Sequence, residues 1–252
     1  MFHWPKQREK CVNNSAFASH PECNSGRIHS TANVPFPGSV VRIRQYEEKD
    51  RDAVRRICCD TGFQGEKIDV VFRDRELFAD IATGPYLDYE PEWAFVAENA
   101  DKVVGYMLAS VSSRFVLNRT RTGIAALAGV ALRLYSGRYS AHPRSEKFAR
   151  WLLYRACVEE PRHPPGAGHM HFSIEKAFRG TGVGMQMWKV FERDFAAAGK
   201  NHYYGQFLSW RGRNIERVYS RFGFRTYSRK KTSIFEEEIP DLEMICMHKW
   251  LP

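Results

Sequence analysis

Three glycines at every second position stand in the run Ile174-Glu175-Lys176-Ala177-Phe178-Arg179-Gly180-Thr181-Gly182-Val183-Gly184-Met185. A strand-like segment ends there and an amphipathic, helix-like segment begins at once. Glycine lets backbone N–H groups turn toward a ligand, and a helix N-terminus adds partial positive charge. In physical terms this is a phosphate or pyrophosphate site. A Walker loop would need Lys and then Ser or Thr after its last glycine, where Met185 stands. A dinucleotide fold would need the spacing G-x-G-x-x-G and an N-terminal βαβ series, whereas this loop comes late. The alternative is a tight turn with no ligand.

The strand before the loop carries a second set of reactive groups. His169, His171, Ser173 and Glu175 alternate with Met170, Phe172 and Ile174, so they share one strand face. If the apolar set faces the core, the polar set faces the other side, where a cleft could lie. Histidine has the intrinsic basicity to accept a proton from an ammonium group. His171 is the leading candidate base, with His169 and Glu175 behind it; a packed structural histidine is the other reading. His163, His169 and His171 have no carboxylate or cysteine at ligand spacing beside them, so no metal is expected.

The elements that must position these groups follow from periodicity. Residues 39–46 alternate as a half-buried strand, and 49–59 read as a helix with Ala53, Val54, Ile57 and Cys58 on one stripe. A second helix is predicted over about 70–81. Two strands, 93–98 and 103–109, are joined by the turn Asn99-Ala100-Asp101-Lys102. Downstream come a strand over 169–175, a helix over 183–198 with Gly199 at its end, and a strand over 203–208. A helix over 213–221 and strands over 225–235 and 244–251 complete the pattern.

Residues 110–167 differ in kind. Two helices are predicted, over 124–134 and 148–158, among Pro143, Pro161, Pro164 and Pro165. Ten basic residues face three acidic ones, so most of the chain's net charge of +9 sits here. Such an excess beside a cleft would focus anions into it, which suggests a lid that selects an anionic acceptor. The apolar run from Ile124 to Leu134 leaves a membrane-surface or long-chain acyl site as an alternative.

The 252 residues are 43% hydrophobic and 13% aromatic, enough for a packed core, and whole-chain disorder is excluded. No window approaches the roughly 18 consecutive apolar residues of a spanning helix. The N-terminus lacks a signal-peptide core and holds Glu9 and Glu22, so a cytoplasmic protein without stable membrane insertion is expected. The six cysteines, with no C-x-x-C pair, read as reduced structural thiols. Residues 1–38, rich in Asn, Ser, Pro and Gly without a sustained period, read as a disordered tail before one domain over 39–252.

Arg179-x-x-Gly182-x-Gly184 after a strand resembles the acyl-CoA-binding signature of the GNAT acetyltransferase superfamily. The order of elements is similar too, from about Val41 to Leu251 with 110–167 as an insertion. Tyr219-x-x-x-Gly223-Phe224 resembles the family's Y-x-x-x-G-F signature. His169-Met170-His171-Phe172 looks like the H-L-H-I stretch of acetyltransferase-like domains related to that of O-GlcNAcase. The resemblance implies an α/β (α+β) GNAT fold: a mixed central sheet flanked by helices, with a helical insertion. It implies an N-acetyltransferase that uses acetyl-CoA as co-substrate, without a metal, to acetylate an amine of a small acceptor. Backbone groups around Ile174 would align the pantetheine, and the amides of Arg179, Gly180, Thr181, Gly182, Val183 and Gly184 would take the pyrophosphate. Tyr219 matches the tyrosine that can protonate the leaving sulfur; a core phenol is the other reading. The family often carries Asn seven residues before that tyrosine. Here that position is Gly212, and Asn214, five before, is the candidate cofactor anchor. A non-catalytic acyl-CoA-binding or regulatory module stays open on the same fold. No nucleic-acid partner is expected, since the basic residues are not interleaved with aromatics on a reader module; a homodimer is allowed.

Overall fold

The computed structural model describes residues 31–36, 39–111 and 115–252. Eight strands form one sheet: β1 (Ala32–Phe36), β2 (Ser39–Gln45), β3 (Ala94–Asn99), β4 (Lys102–Ser110), β5 (Gly168–Ile174), β6 (His202–Ser209), β7 (Arg225–Lys231) and β8 (Glu243–Trp250). Their order is β1-β2-β3-β4-β5-β6-β8-β7. Neighbours are antiparallel except β5 and β6, which run parallel. The turn between β3 and β4 falls where the sequence places it. Ala100 and Asp101 both take positive φ, 46° and 63°, as a two-residue hairpin turn requires.

One face of the sheet is covered by α6 (Val183–Ala197), whose Val183, Met187, Val190, Phe191 and Phe195 are buried at helical spacing. The other face carries α1 (Arg51–Thr61) and α2 (Arg75–Leu87), with Val54, Ile57 and Cys58 packed toward Tyr106 and Leu108 of β4. A short α7 (Ile215–Tyr219) follows β6. The 110–167 insertion forms α3 (Phe115–Tyr135), α4 (Pro143–Tyr154) and α5 (Ala156–Glu159). These share a separate core with α2 and the segment after β7, through Leu77, Val130, Phe148, Trp151 and Phe235.

Several boundaries depart from the sequence reading, each for a local reason. Helix α2 starts at Arg75 rather than near 70 because Asp74 caps it, accepting from the Leu77 N–H. Ile68–Val70 is instead a 3-10 turn. The helix expected over 148–158 breaks at Arg155 into α4 and α5. Strand β7 ends at Lys231, not 235, because Thr232 and Ser233 turn away to bind Glu159. Residues 32–36, read as tail, pair with β2 as β1; residues 1–30 of that expected tail lie outside the described residues. Cys58, Cys59, Cys157 and Cys246 are free thiols, whereas Cys11 and Cys23 fall in the undescribed segment. Among the described residues no helix is long and apolar enough to cross a membrane.

Glu159 fastens the insertion to the sheet edge. Its carboxylate accepts from Trp151 Nε1 at 2.7 Å, the Ser233 N–H at 2.7 Å, Ser233 Oγ at 2.8 Å and Thr232 Oγ1 at 3.1 Å. Burial pushes its pKa up, but these donors outweigh it and hold the carboxyl below the ordinary glutamate range. A carboxyl held low contributes stability above its unfolded pKa of about 4.3 and loses it as pH falls through the folded value. Glu159→Gln should therefore cost about 2 kcal/mol at pH 7 in urea unfolding. The gap between variant and wild type should close as pH falls from about 5 toward 3. An equal gap at both pH values would assign the effect to packing, not charge.

Candidate active site

The site is made by two strands that part. β5 and β6 pair only at Gly168↔Tyr203 and His169↔Tyr204, and beyond those pairs they diverge. Where they part, Met170 Cε and the Phe207 ring lie over Gly205, 2.7 and 2.9 Å from where a Cβ would stand, so a larger residue there would press on both side chains. The opening is a cleft of about 650 Å³, bounded by the end of α1 and its following loop, the β5–α6 loop, α6, β6 and α7. Among the described residues, none of α3, α4 or α5 lines it. The insertion packs against α2 and the segment after β7, so its helices do not form the cleft wall that a lid reading expects.

Gly180, Gly182 and Gly184 lie at the cleft wall. Gly180 and Gly182 adopt left-handed φ of 77° and 90°, with no atom within 4 Å of either missing Cβ. Gly184 meets a different neighbour: a Cβ there would stand 2.9 Å from Ile174 Cδ1, so a larger residue would push that terminal methyl aside. Gly182 is the N-cap of α6 and offers no side-chain acceptor, and Gln186 N reaches back to Gly182 O at 3.1 Å. The N–H groups of the first turn, Val183 to Met185, precede that bond and point out of the helix end. Thr181 folds back, its hydroxyl donating to Phe178 O at 2.7 Å. Arg179 locks the loop from the other side, Nε donating to Ile174 O at 2.9 Å and a terminal nitrogen to Gly65 O at 2.8 Å. The carbonyl of Ile174 is thus already engaged.

Of the polar set on β5, two members reach the cleft: His171 and Ser173. The polar face as a whole is not open, which corrects the sequence reading; α1, α2 and α3 cover it. His169 hydrogen-bonds Tyr86, stacks on Phe115 and meets Tyr204 edge-on. Burial, with Arg119 nearby, drives its basicity well below the usual value. Glu175 pairs with Arg56 at 2.8 Å. Ser173 accepts from Thr61 Oγ1 at 2.8 Å, tying β5 to the end of α1. His171 packs edge-on to Tyr106 with ring centroids 5.6 Å apart, and its Nδ1 is buried without a partner among the described residues. Burial pushes its pKa down to about 4. His171 is a neutral imidazole at pH 7, with one nitrogen sealed in protein and the ring partly open to the cleft.

Across the cleft stands Tyr219, wedged among Trp188, Phe207, Phe222 and Phe224. Burial pushes its pKa up to about 12, against the opposing pull of Arg213. The phenol is protonated at neutral pH, and Tyr219 lines the cleft. Asn214 is placed differently from the other candidates. It caps α7, Oδ1 accepting from the Arg217 N–H at 2.9 Å, and it does not line the cleft. The sequence reading missed the opposite wall: Thr61, Gly62, Gln64 and Gly65 from the loop after α1, with Gln206 and Arg213. Gln64 and Gly65 take positive φ of 53° and 94°, and the glycine pair Gly62-x-x-Gly65 was the legible sign. Gln206 donates to Glu160 at 3.0 Å, and Glu160 in turn receives both terminal nitrogens of Arg119.

No family model matches the chain, and no curated protein does. Solved structures do. A protein described as an insect arylalkylamine N-acetyltransferase, from the yellow fever mosquito, superposes with a TM-score of 0.55 at 12% identity, over 89% of this chain and 96% of that one. The protein SsHAT gives 0.53 at 22% identity, over 83% of this chain and 98% of that one. An N-acetyltransferase from Staphylococcus aureus Mu50 gives 0.50 at 12% identity, over 84% and 99%. With the strand order and the parted β5 and β6, these likenesses establish the fold: this chain has the GNAT N-acetyltransferase fold.

The state of His171 can be read directly. In ¹H–¹⁵N spectra that resolve imidazole nitrogens, its ring should stay neutral from pH 8 down to about 5 and titrate near 4. A midpoint close to the ordinary value of about 6.5 would mean that water reaches Nδ1 and that the buried setting is wrong.

Proposed function

We propose that this chain is an N-acyltransferase that transfers an acetyl group from acetyl-CoA to the amine of a small acceptor by direct attack on the thioester. The observation that carries this reading is one juxtaposition. A glycine turn with open amides, the unpaired edges of two parted strands and a protonated tyrosine face each other across a single cleft.

The residues suit the co-substrate. Free space beside Gly180 and Gly182 is what a diphosphate needs to approach the backbone, and the α6 N-terminus with Arg179 and Arg213 supplies positive potential. Thr181, Val183 and Gly184 complete the amide cradle. The diverging inner edge of β5 near Ile174, whose own carbonyl Arg179 holds, offers neighbouring backbone groups outside the β5–β6 ladder, suited to an extended pantetheine arm. Trp188, Val218 and Phe222 give the same wall an apolar surface. Asn214, committed to its cap, acts on this site through α7 and its Tyr219.

Each chemical task then has a residue. Tyr219 donates to the sulfur as negative charge develops there and so eases departure of the thiolate. His171 accepts the proton of the attacking amine. With a pKa of about 4 it does not deprotonate the ammonium, which loses its first proton to water before attack; it takes the second proton from the more acidic nitrogen of the tetrahedral adduct and passes it to solvent. Thr61, Gln64, Ser173 and Gln206 line the remaining wall and orient the acceptor. An acceptor preference for anions would need a source other than α3–α5, which lie outside the cleft.

Two measurements test this. Gly182→Val places a branched side chain at φ 90° in the space kept open, so calorimetry should show acetyl-CoA binding at least about tenfold weaker. Equal affinities would remove the loop from the site. Tyr219→Phe keeps the packing and loses the donor. Affinity for acetyl-CoA should hold while kcat with an accepted amine falls about 10² or more; an unchanged kcat would leave Tyr219 a core residue.

A further inference from the structure

Helix α3 buries one side and leaves an apolar opposite side in the open. Ala126, Val130 and Leu134 pack inward, whereas Leu117, Ile124, Leu132 and Tyr135 are 46, 65, 73 and 72% exposed. At about 100° per residue, positions 117, 121, 124, 128, 132 and 135 fall within a strip roughly 100° wide. Tyr135 hydrogen-bonds Tyr154 of α4, itself 55% exposed, which broadens the strip across the helix pair. Isolated exposed apolar residues need no explanation; a continuous strip along a helix of 21 residues does.

The charge beside the strip narrows what covers it. Helix α3 contains no acidic residue. Arg119 and Arg133, at its flanks, are paired with Glu160 and Asp74. Arg121 lies within the strip and makes no ion pair among the described residues, and exposed Arg138 follows the helix end likewise. A second copy of the chain is a poor fit, because a two-fold contact on this strip would bury Arg121 against an apolar face with no acid on the helix to meet it. A lipid surface suits both features at once: apolar side chains enter the acyl boundary while an arginine reaches back to phosphate.

We propose that the outer face of α3 docks the protein onto an anionic lipid bilayer, with the helix lying in the plane of the headgroups. Leu117, Ile124, Leu132 and Tyr135 enter the membrane, and Arg121 and Arg138 meet lipid phosphate and carboxylate groups. Each such arginine near an anionic surface should favour binding about fivefold at moderate salt. The proposal is independent of acyl transfer.

The test is sedimentation of the full chain with vesicles of phosphatidylcholine containing roughly one-quarter phosphatidylserine, an anionic content that attracts basic segments. The chain should sediment with these vesicles and much less with phosphatidylcholine alone. Ile124→Glu and Leu132→Glu, both at open positions, should each weaken binding about tenfold or more. Circular dichroism, thermal midpoint and acetyl-CoA affinity should not change, which separates loss of docking from loss of fold. Three results would overturn the proposal. The chain fails to bind anionic vesicles; or a chain carrying both Ile124→Glu and Leu132→Glu binds as well as wild type, which moves the lipid contact to the basic residues over 211–231; or the chain is a dimer that Ile124→Glu splits, which makes the second copy the occupant.

Discussion

Everything in the candidate site depends on a ladder that stops. A parallel pair held along its length would leave no room and no free edges, because every inner N–H and C=O would be spent between the strands. Here β5 and β6 share two residue pairs and then separate around Gly205, where Met170 and Phe207 occupy the space next to the backbone. The antiparallel neighbours β4 and β8 hold the outer edges of the parted strands, so the divergence costs the sheet little. What opens between them is a rigid slot with directional hydrogen-bonding groups on its walls.

The slot also explains why neighbouring residues on one strand meet such different surroundings. His169 lies at the last paired position and is enclosed by Tyr86, Phe115 and Tyr204. Two residues on, His171 lies past the fork and opens to the cleft while keeping Nδ1 in protein. Ser173 is further along and already tied to Thr61 of α1. A strand that looks uniform in sequence thus becomes a gradient from core to solvent, set by distance from the fork rather than by residue type.

Features written in local spacing were legible from the sequence. The hairpin turn at Ala100-Asp101, the apolar stripe of α6 and the strand–glycine–helix order around Gly180 each depend on neighbours within one element. Features that depend on partners far along the chain were not. Asp74 sets the start of α2 only as a cap that Tyr139 and Arg133 also engage. Glu159 ends β7 early from more than seventy residues away. The polar face of β5 was taken for a cleft wall because alternation tells which side chains share a face, not what covers it. Helices α1 and α2 cover most of it, and the loop after α1, with its own glycines, supplies the site's opposite wall.

Charge shows the same division most sharply. Ten basic residues against three acidic ones over 110–167 look in sequence like a strong positive field. In the fold, three of those ten are met by acids from elsewhere: Arg133 by Asp74, Arg144 by Glu238, and Lys147 by Glu236 and Glu237. Paired charges a few ångströms apart leave little field beyond the roughly 8 Å over which salt screens them. An insertion whose helices do not line the cleft, with part of its charge neutralised, is a weaker source of steering toward it than its composition suggests. The charge left without an ion pair among the described residues matters instead, and on α3 that is Arg121, set within an apolar strip rather than within a basic patch. Position relative to exposed apolar surface, not the local sum of charge, separates a helix suited to a bilayer from one that is merely basic.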